Sequence, residues 1–391
     1  MGNIRNFFAV FVTGCTLISG CSSGGIASTA RSGTSDASAS AQSASATTAS
    51  TTSSARGGQA SAPAGPATIT LAFAGDVHFE RQVAALLKDS SRVWRNRLPE
   101  LRDADFSLVN LETAITTRGR AERKPYTFRA PPKALEVLKW AGIDAVSMAN
   151  NHAADFGAAG VQDTLKVKAS NVMPIVGFGA DDTQAYAPLE VNVKGVKVGV
   201  LAASQVAEET ARNWAAGPNK PGIAVALDRT RLRAAVQAAA AKYDLVVVQL
   251  HWGTEGTTCP NGNQVETVKD LRAAGADVIV GTHAHRPLGS GWSGRTFVGY
   301  GTGNFVWYNT SASSRPSGVL TLTVDAKAAK ARGQATGSAR QTARSLVTSY
   351  TWSPKYISGQ GVPQNPTAGV RKGLDSRNRA AISCSKLAQK P

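Results

Sequence analysis

From Thr68 onward the chain alternates solid apolar runs with amphipathic stretches. TITLAFAGD, FSLVNLE, DAVSMANNH, DLVVVQLHWG and ADVIVGTHAH are short, rich in β-branched residues and apolar on consecutive positions, which predicts strands buried on both faces. Between them PPKALEVLKWAG opens on prolines and closes on glycine, as a helix does. GVQDTLKVKAS, DRTRLRAAVQAAAAKY (with Asp228 as N-cap) and the stretch near NQVETVKDLRAAG predict three more helices. PLEVNVKGVKVGVLAAS predicts a hairpin turning at Lys194-Gly195, and RTFVGYGTGNFVW and SGVLTLTVDA are rich in β-formers. Strands alternating with helices predict an α/β domain whose sheet is covered on both sides, and the later hairpins add a mixed or second sheet. From Lys327 to Arg344 the sequence turns basic and poor in apolar residues, so an exposed loop is expected there. LVTSYTWSPKYIS then returns as an edge strand, and a tail helix follows.

The first 67 residues break this pattern. MGNIRNFFAVFVTGCTLISGC pairs Arg5 with an apolar run from Phe7 to Ile18, too short to span a bilayer comfortably and of signal-peptide form. Its end, LISGC, resembles a bacterial lipobox, with Cys21 as the cysteine that takes lipid. Residues 1–20 are therefore expected to be a lipoprotein signal peptide. The Ser-, Ala-, Gly- and Thr-rich stretch 21–67 cannot bury enough apolar area to offset its chain entropy, so a tether is expected. The folded domain is expected over 68–325, with a basic extension over 326–391. This layout implies an extracytoplasmic protein held to a bacterial membrane by lipid. In an oxidising compartment the two remaining cysteines, Cys259 and Cys384, are candidates for a disulfide.

The formal net charge is +17, and residues 326–391 hold twelve Lys or Arg against one acid, Asp375. Such a surface favours polyanions. No zinc finger, RNP motif or helix-turn-helix accompanies the charge, so a nucleic-acid partner is not expected.

The chain has five histidines, and all of them fall at predicted strand ends: His78 in GDVH, His152 in NNHAAD, His251 in QLHWG, and His283 and His285 in GTHAH. Open α/β sheets place ligands beyond the carboxyl ends of their strands. Imidazoles gathered there with Asp76 and the glutamate of NLE are the donor set of a divalent-metal site. Two ions sharing a bridging carboxylate activate water and steady both oxygens of a displacement. The i, i+2 spacing of His283 and His285, repeated in Asp76 and His78, is expected to project two ligands to one side of an extended segment. Trp252 and Trp307 flank these motifs and are candidates for the wall of a cleft.

The succession GDVH, NLE, NNHAAD, HWGTE, GTHAH and GTGNF resembles the CapA family of capsule and poly-γ-glutamate biosynthesis proteins, over about Thr68 to Val324. That family is similar to the calcineurin-like metallophosphoesterases. The resemblance implies their four-layer αββα sandwich and a dinuclear site of manganese, zinc or iron. It implies Asp76, His78, Asn151, His251, His283 and His285 as ligands and Glu112 in the place of the bridging aspartate. It implies His152 as the group that protonates the leaving oxygen or stabilises charge, with Asp155 orienting it or capping the next helix. Glu255 is placed near substrate or behind the ligands, and Asn304 in a tight turn beside the site. The function implied is capsule or poly-γ-glutamate synthesis or export, through hydrolysis or transfer on an anionic envelope polymer, with a synthase complex as possible company. A non-catalytic polymer-binding or export factor is the first alternative, and a phosphodiesterase or nuclease the second.

Overall fold

The computed structural model describes residues 67–88, 98–336 and 344–391, so the expected signal peptide, Cys21 and the tether up to residue 66 lie outside the described residues. The chain begins one sheet, leaves it to build a second, and returns to finish the first. Strands β1 (Thr68–Val77), β2 (Phe106–Leu111), β3 (Ala145–Ser147) and β4 (Ile175–Val176) run parallel as neighbours in the first sheet. Six strands follow in the second: β5 (Leu189–Val193), β6 (Val196–Ser204), β7 (Leu245–Trp252), β8 (Val278–His283), β9 (Ser290–Ser293) and β10 (Thr296–Gly299), in the order β9-β10-β8-β7-β6-β5. The return strands are β11 (Asn304–Val306), β12 (Pro316–Asp325), β13 (Val347–Ile357) and β14 (Pro363–Gln364). They bring the first sheet to eight strands in the order β14-β13-β12-β1-β2-β3-β4, with β11 pairing β1 where β12 leaves it.

Period-two alternation sorts the side chains into layers. Ile69, Leu71 and Phe73 of β1 and Phe106 and Leu108 of β2 meet Val198, Val200, Val247, Val278 and Val280 of the second sheet, forming the core between the sheets. The alternate residues Ala72, Ala74, Val109 and Leu111 face outward onto helices α1 (Lys133–Trp140) and α2 (Gly157–Ala169) through Leu135, Leu138 and Val161. On the far side Leu201, Val246, Val248, Leu250 and Ile279 pack on α3 (Thr230–Lys242) and α4 (Gly262–Ala274) through Leu232, Val236, Val268 and Leu271. Helix, sheet, sheet, helix: this is the four-layer αββα sandwich, and its central strands, such as β1, β2, β7 and β8, are apolar on both faces because each has a layer on both sides.

Several local expectations change. The hairpin keeps its expected turn at Lys194-Gly195, both with positive φ, whereas other elements move. Helix α3 starts one residue later than its sequence signal, with Arg229 at the N-cap and Asp228 accepting from the Thr230 backbone N–H at 3.0 Å. The region expected to be an exposed loop opens instead as helix α5 (Ala326–Gln334), capped by the Asp325 carboxylate on the Ala328 N–H at 2.8 Å. Its Ala326 and Ala329 close one end of the inter-sheet core, and its buried Arg332 pairs with the buried Asp277 of the second sheet. A basic stretch with few apolar residues can still be a packed helix when its alanines and one arginine face inward. The extension after Val324 is therefore part of the sandwich: β13 pairs along β12, and helix α6 (Ala368–Ser385) lies against it. Cys259 and Cys384 are joined as a disulfide, their Cα atoms 5.6 Å apart.

One contact fixes where the first sheet places Asp76. A Cβ on Gly75 would sit 1.7 Å from the Gly303 carbonyl oxygen, which accepts from the Asp76 N–H at 3.0 Å. Gly75→Ala must push these backbones apart, so it is expected to lower stability by at least the upper end of about 1–3 kcal/mol. Urea denaturation reads this directly; an unchanged midpoint would show that the crossing tolerates a side chain.

Candidate metal centre

The carboxyl ends of β1, β2, β7 and β8 face the same edge of the sandwich and bring Asp76, Glu112, His251 and His283 together. Asp76 ends β1 under a tight set of donors. Its Oδ1 accepts from Asn110 Nδ2 at 2.9 Å, and its Oδ2 accepts from the His283 backbone N–H at 3.3 Å and lies 3.1 Å from His285 Nδ1. Glu112, one residue past β2, is fully buried, and neither carboxylate oxygen has a hydrogen-bond partner. Three imidazole Nε2 atoms surround its Oε1: His251 at 3.6 Å, His152 at 3.8 Å and His285 at 4.0 Å. Asp76, Glu112 and His251 form one group with metal-ligand spacing, and Glu255, His283 and His285 form another.

Burial sets the electrostatics of this cluster. Burial, and then the neighbouring Asp76, push the Glu112 carboxyl well above its usual range. Burial and the other imidazoles hold His251 well below its ordinary value, and His283 is lowered to about 3, chiefly by burial. Burial acts the same way on His285, but its contact with Asp76 outweighs it and the net shift is upward. Two buried carboxyl groups therefore crowd together beside the lowered imidazoles of His251 and His283, an arrangement costly in itself and relieved by a cation. His283 Nδ1 and Asn304 Oδ1 are also buried without partners. Bare oxygens and imidazole nitrogens are the donors that zinc, manganese and iron accept. The residues fit a divalent cation.

The two histidines of GTHAH reach the site in an unexpected way. His283 is the last residue of β8 and has φ 85°, and His285 has φ 54°, so both stand in the left-handed region instead of on an extended segment. Such backbone costs about 1–3 kcal/mol per residue and persists where its surroundings enforce it. Here the turn directs both rings into the site, with centroids 5.9 Å apart.

Asn151 Oδ1 lies 2.9 Å from His251 Nε2, within hydrogen-bond distance. The Asn151 Nδ2 donates to Glu208 Oε2 at 2.8 Å, which fixes the amide so that its oxygen points inward. His152 Nδ1 is 2.6 Å from Asp155 Oδ2, and the Phe128 ring stacks on the imidazole at 4.1 Å between centroids. Asp155 thus orients His152 and does not cap α2, whose N-cap is Phe156. Burial lowers the His152 pKa, opposed by Asp155. Glu255 is exposed, with its Oε1 3.9 Å from His285 Nε2. Asn304 opens β11 opposite Asp76, and its amide donates to the Ser314 carbonyl at 3.1 Å.

His78 and Trp252 stand elsewhere. The His78 Nδ1 faces the Glu80 N–H at 3.0 Å and Nε2 the Tyr308 N–H at 3.3 Å. The ring is held among Phe128, Trp307 and Tyr308, outside both ligand groups. Its sequence spacing from Asp76 does not survive because the register of β1 shifts between Asp76 and Val77. Trp252 is fully buried beneath Tyr300, to whose carbonyl its indole N–H donates at 2.9 Å, so it lines no cleft. Trp307 does. With Tyr126, Phe128, His152, His285 and Tyr308 it walls a cavity of about 260 Å³ over the site.

Sequence reasoning overlooked Lys124, Phe128 and Glu208. Lys124 is almost wholly buried, with Nζ 2.8 Å from Asp155 Oδ1 and 2.6 Å from the Asn151 carbonyl. It lies in AERKPYTFRA, whose charges look like a solvated loop, and no periodicity marks it. Lys124→Met leaves the buried Asp155 short of its cation and is expected to cost about 3 kcal/mol. Thermal unfolding tests this, and an unchanged midpoint would show that His152 and the Phe128 N–H suffice.

A family model described as bacterial capsule synthesis protein PGA_cap matches residues 70–309, more than half of the chain. The chain is 30% identical over 259 residues to the PGA biosynthesis protein CapA of Bacillus subtilis, an alignment covering 64% of this chain and 67% of that one. It is 32% identical over 205 residues to a probable polyglutamine synthesis accessory protein of Mycobacterium tuberculosis, covering 50% of this chain and 54% of the relative. Among solved structures, a phosphatase from Mycoplasma pneumoniae aligns with a TM-score of 0.45 at 15% identity, covering 76% of this chain and 95% of the other. Across these two curated relatives the alignment spans 54% to 67% of their own length.

Proposed function

The chain belongs to the bacterial capsule synthesis protein family PGA_cap, and from that premise we propose that it is a metal-dependent hydrolase or transferase acting on an anionic polymer of the cell envelope. The process is capsule or poly-γ-glutamate synthesis or export, alongside the synthase machinery. Lipid at Cys21 holds the domain to the outer side of a bacterial membrane. Two divalent cations, manganese, zinc or iron, complete the site. The observation that carries this proposal is Glu112: a fully buried carboxylate with two bare oxygens, ringed by three imidazole nitrogens within 4.0 Å.

Asp76, Glu112, Asn151, His251, His283 and His285 would hold the cations. When bound, such ions acidify water and offset charge developing on the oxygens of the reacting bond. The chain's own groups do the rest. Asp155 accepts from Nδ1–H of His152, which leaves Nε2, on the Glu112 side, as the atom that gives or takes a proton. Lys124 balances the charge on Asp155 so that the pair can stay buried. Phe128 fixes the plane of the imidazole and keeps water off its face. The cavity above, with Tyr126 60% exposed on its rim, admits a substrate that stays largely outside.

One observation favours a second role. His78 is turned away from the ligand groups, which leaves that side of the site one imidazole poorer than the family resemblance implied. A domain that binds metal and polymer to assist export, without turnover, accommodates this. Elemental analysis of the full chain separates the two, with His283→Ala as control and phosphodiester and γ-glutamyl substrates assayed in parallel. About two equivalents of metal, as the two-ion mechanism requires, with turnover lost in the variant, support catalysis. Less than about one equivalent after reconstitution with manganese, zinc or iron sinks the two-metal mechanism.

A further inference from the structure

A second cavity, of about 430 Å³, opens beside the one over the metal centre, and Arg286 and Ser313 line both. Its inner wall follows His285 in sequence, through Arg286 and Pro287. Its outer wall is Trp352 and Pro354 of β13 with Leu374 and Arg377 of α6. Those elements lie beyond the stretch matched by the family model, so this chain's own C-terminal part builds half of the cavity.

The wall is fixed in place. The Cys259–Cys384 disulfide ties α6 to the loop that carries Glu255. Beyond the helix, Ala388 and Trp292 exchange backbone hydrogen bonds of 2.8 and 2.9 Å. A Cβ on Gly289 would lie 2.4 Å from the Ala381 carbonyl oxygen, so helix and sheet are in close contact.

The lining has a particular chemistry. Trp352, Pro287, Pro316, Pro354 and Leu374 make it mainly apolar, and two guanidinium groups stand in it. Several arginines elsewhere hold a carboxylate, Arg118 with Asp163, Arg229 with Asp270 and Arg332 with Asp277. Neither Arg286 nor Arg377 makes an ion pair among the described residues. Two unpaired cations in an apolar trough suit a chain whose negative charges are separated by methylene groups. A polyphosphate backbone, dense in charge and without apolar stretches, suits it poorly.

We propose that this cavity is an extended subsite for a polycarboxylate chain, holding units on one side of the bond placed over the metal centre. The proposal rests on the polymer-acting function above. Arg286 spans the two cavities and registers the chain, Arg377 takes a carboxylate farther out, and Trp352 with the prolines covers the methylenes between.

The test measures binding of γ-linked glutamyl oligomers of two and eight residues to the metal-loaded full chain in detergent, at fixed salt. Arg377→Gln, Arg286→Gln and Arg371→Gln are compared, the last removing the same charge from α6 at a residue paired with Asp375. The expected result is tighter binding of the octamer than of the dimer. Arg377→Gln should weaken the octamer by about three- to tenfold and leave the dimer unchanged. Arg286→Gln should weaken both, and Arg371→Gln neither. If the octamer binds the Arg377 and Arg371 variants equally, the subsite is overturned while the polymer function stands. If no oligomer binds wild type, the polymer function falls and the subsite with it. Equal or stronger dependence of polyphosphate binding on Arg377 overturns the assignment to carboxylates.

Discussion

Glu112→Gln is expected to make the metal-free protein more stable and the metal-loaded protein less so. In the absence of metal, burial and then Asp76 push the Glu112 carboxyl well above its usual range, so an ionised Glu112 is costly there. The amide keeps the shape, removes the charge, and gives Asp76 a permanent donor. Relief of a buried uncompensated charge is worth about 1–3 kcal/mol. With metal present the sign reverses. A site that binds only the folded state contributes about 2.7 kcal/mol at a hundredfold excess over the dissociation constant, and the variant forfeits this. Activity should fall by about 10³-fold or more, since charge stabilisation of several kcal/mol goes with the ions. Paired denaturation curves with chelator and with metal check this. A variant less stable than wild type under both conditions would show that Glu112 is held by contacts unrelated to a cation.

The second large effect belongs to His152. His152→Ala should lower turnover by about 10²–10⁴-fold, the usual share of a positioned acid or base. Metal content should not change, because the imidazole is anchored to Asp155 and stands 3.8 Å from Glu112. Asp155→Asn should produce a milder loss of about 10–100-fold, as expected for a group that acts by orienting another. Single-turnover rates beside elemental analysis separate the roles. If His152→Ala loses metal in proportion to activity, His152 is a ligand and proton transfer falls to another group.

The sandwich was legible because its strands are apolar on consecutive positions and its helices carry ordinary start and stop signals. The site was legible for a related reason. Its histidines sit at the ends of those runs, and a parallel sheet gathers such ends on one edge. Sequence could not show the register shift after Asp76, which turns His78 toward Phe128 and Trp307, because a bulge is a relation between strands far apart in the chain. Nor could it show the left-handed backbone of His283 and His285, which looked like an ordinary strand end. Lys124 was hidden by its neighbours: among Arg120, Arg123 and Glu122 it looks solvated, and only the fold drives it onto Asp155. The helix at Ala326–Gln334 was missed because composition counts residues and ignores which of them face inward.

Strand β1 lies between β2, which follows it closely, and β12, whose pairing with it runs from Thr68↔Asp325 to Phe73↔Leu320. Asp76 likewise sits against Asn304. The opening strand therefore stays half-paired until almost the whole domain has been made, and Asp76 cannot be placed before then. Closing so long a loop is entropically slow, so folding should be late, cooperative and governed by arrival of the C-terminal strands. Chains cut before residue 316 should expose the edge of β1 and aggregate in preference to leaving a smaller working domain.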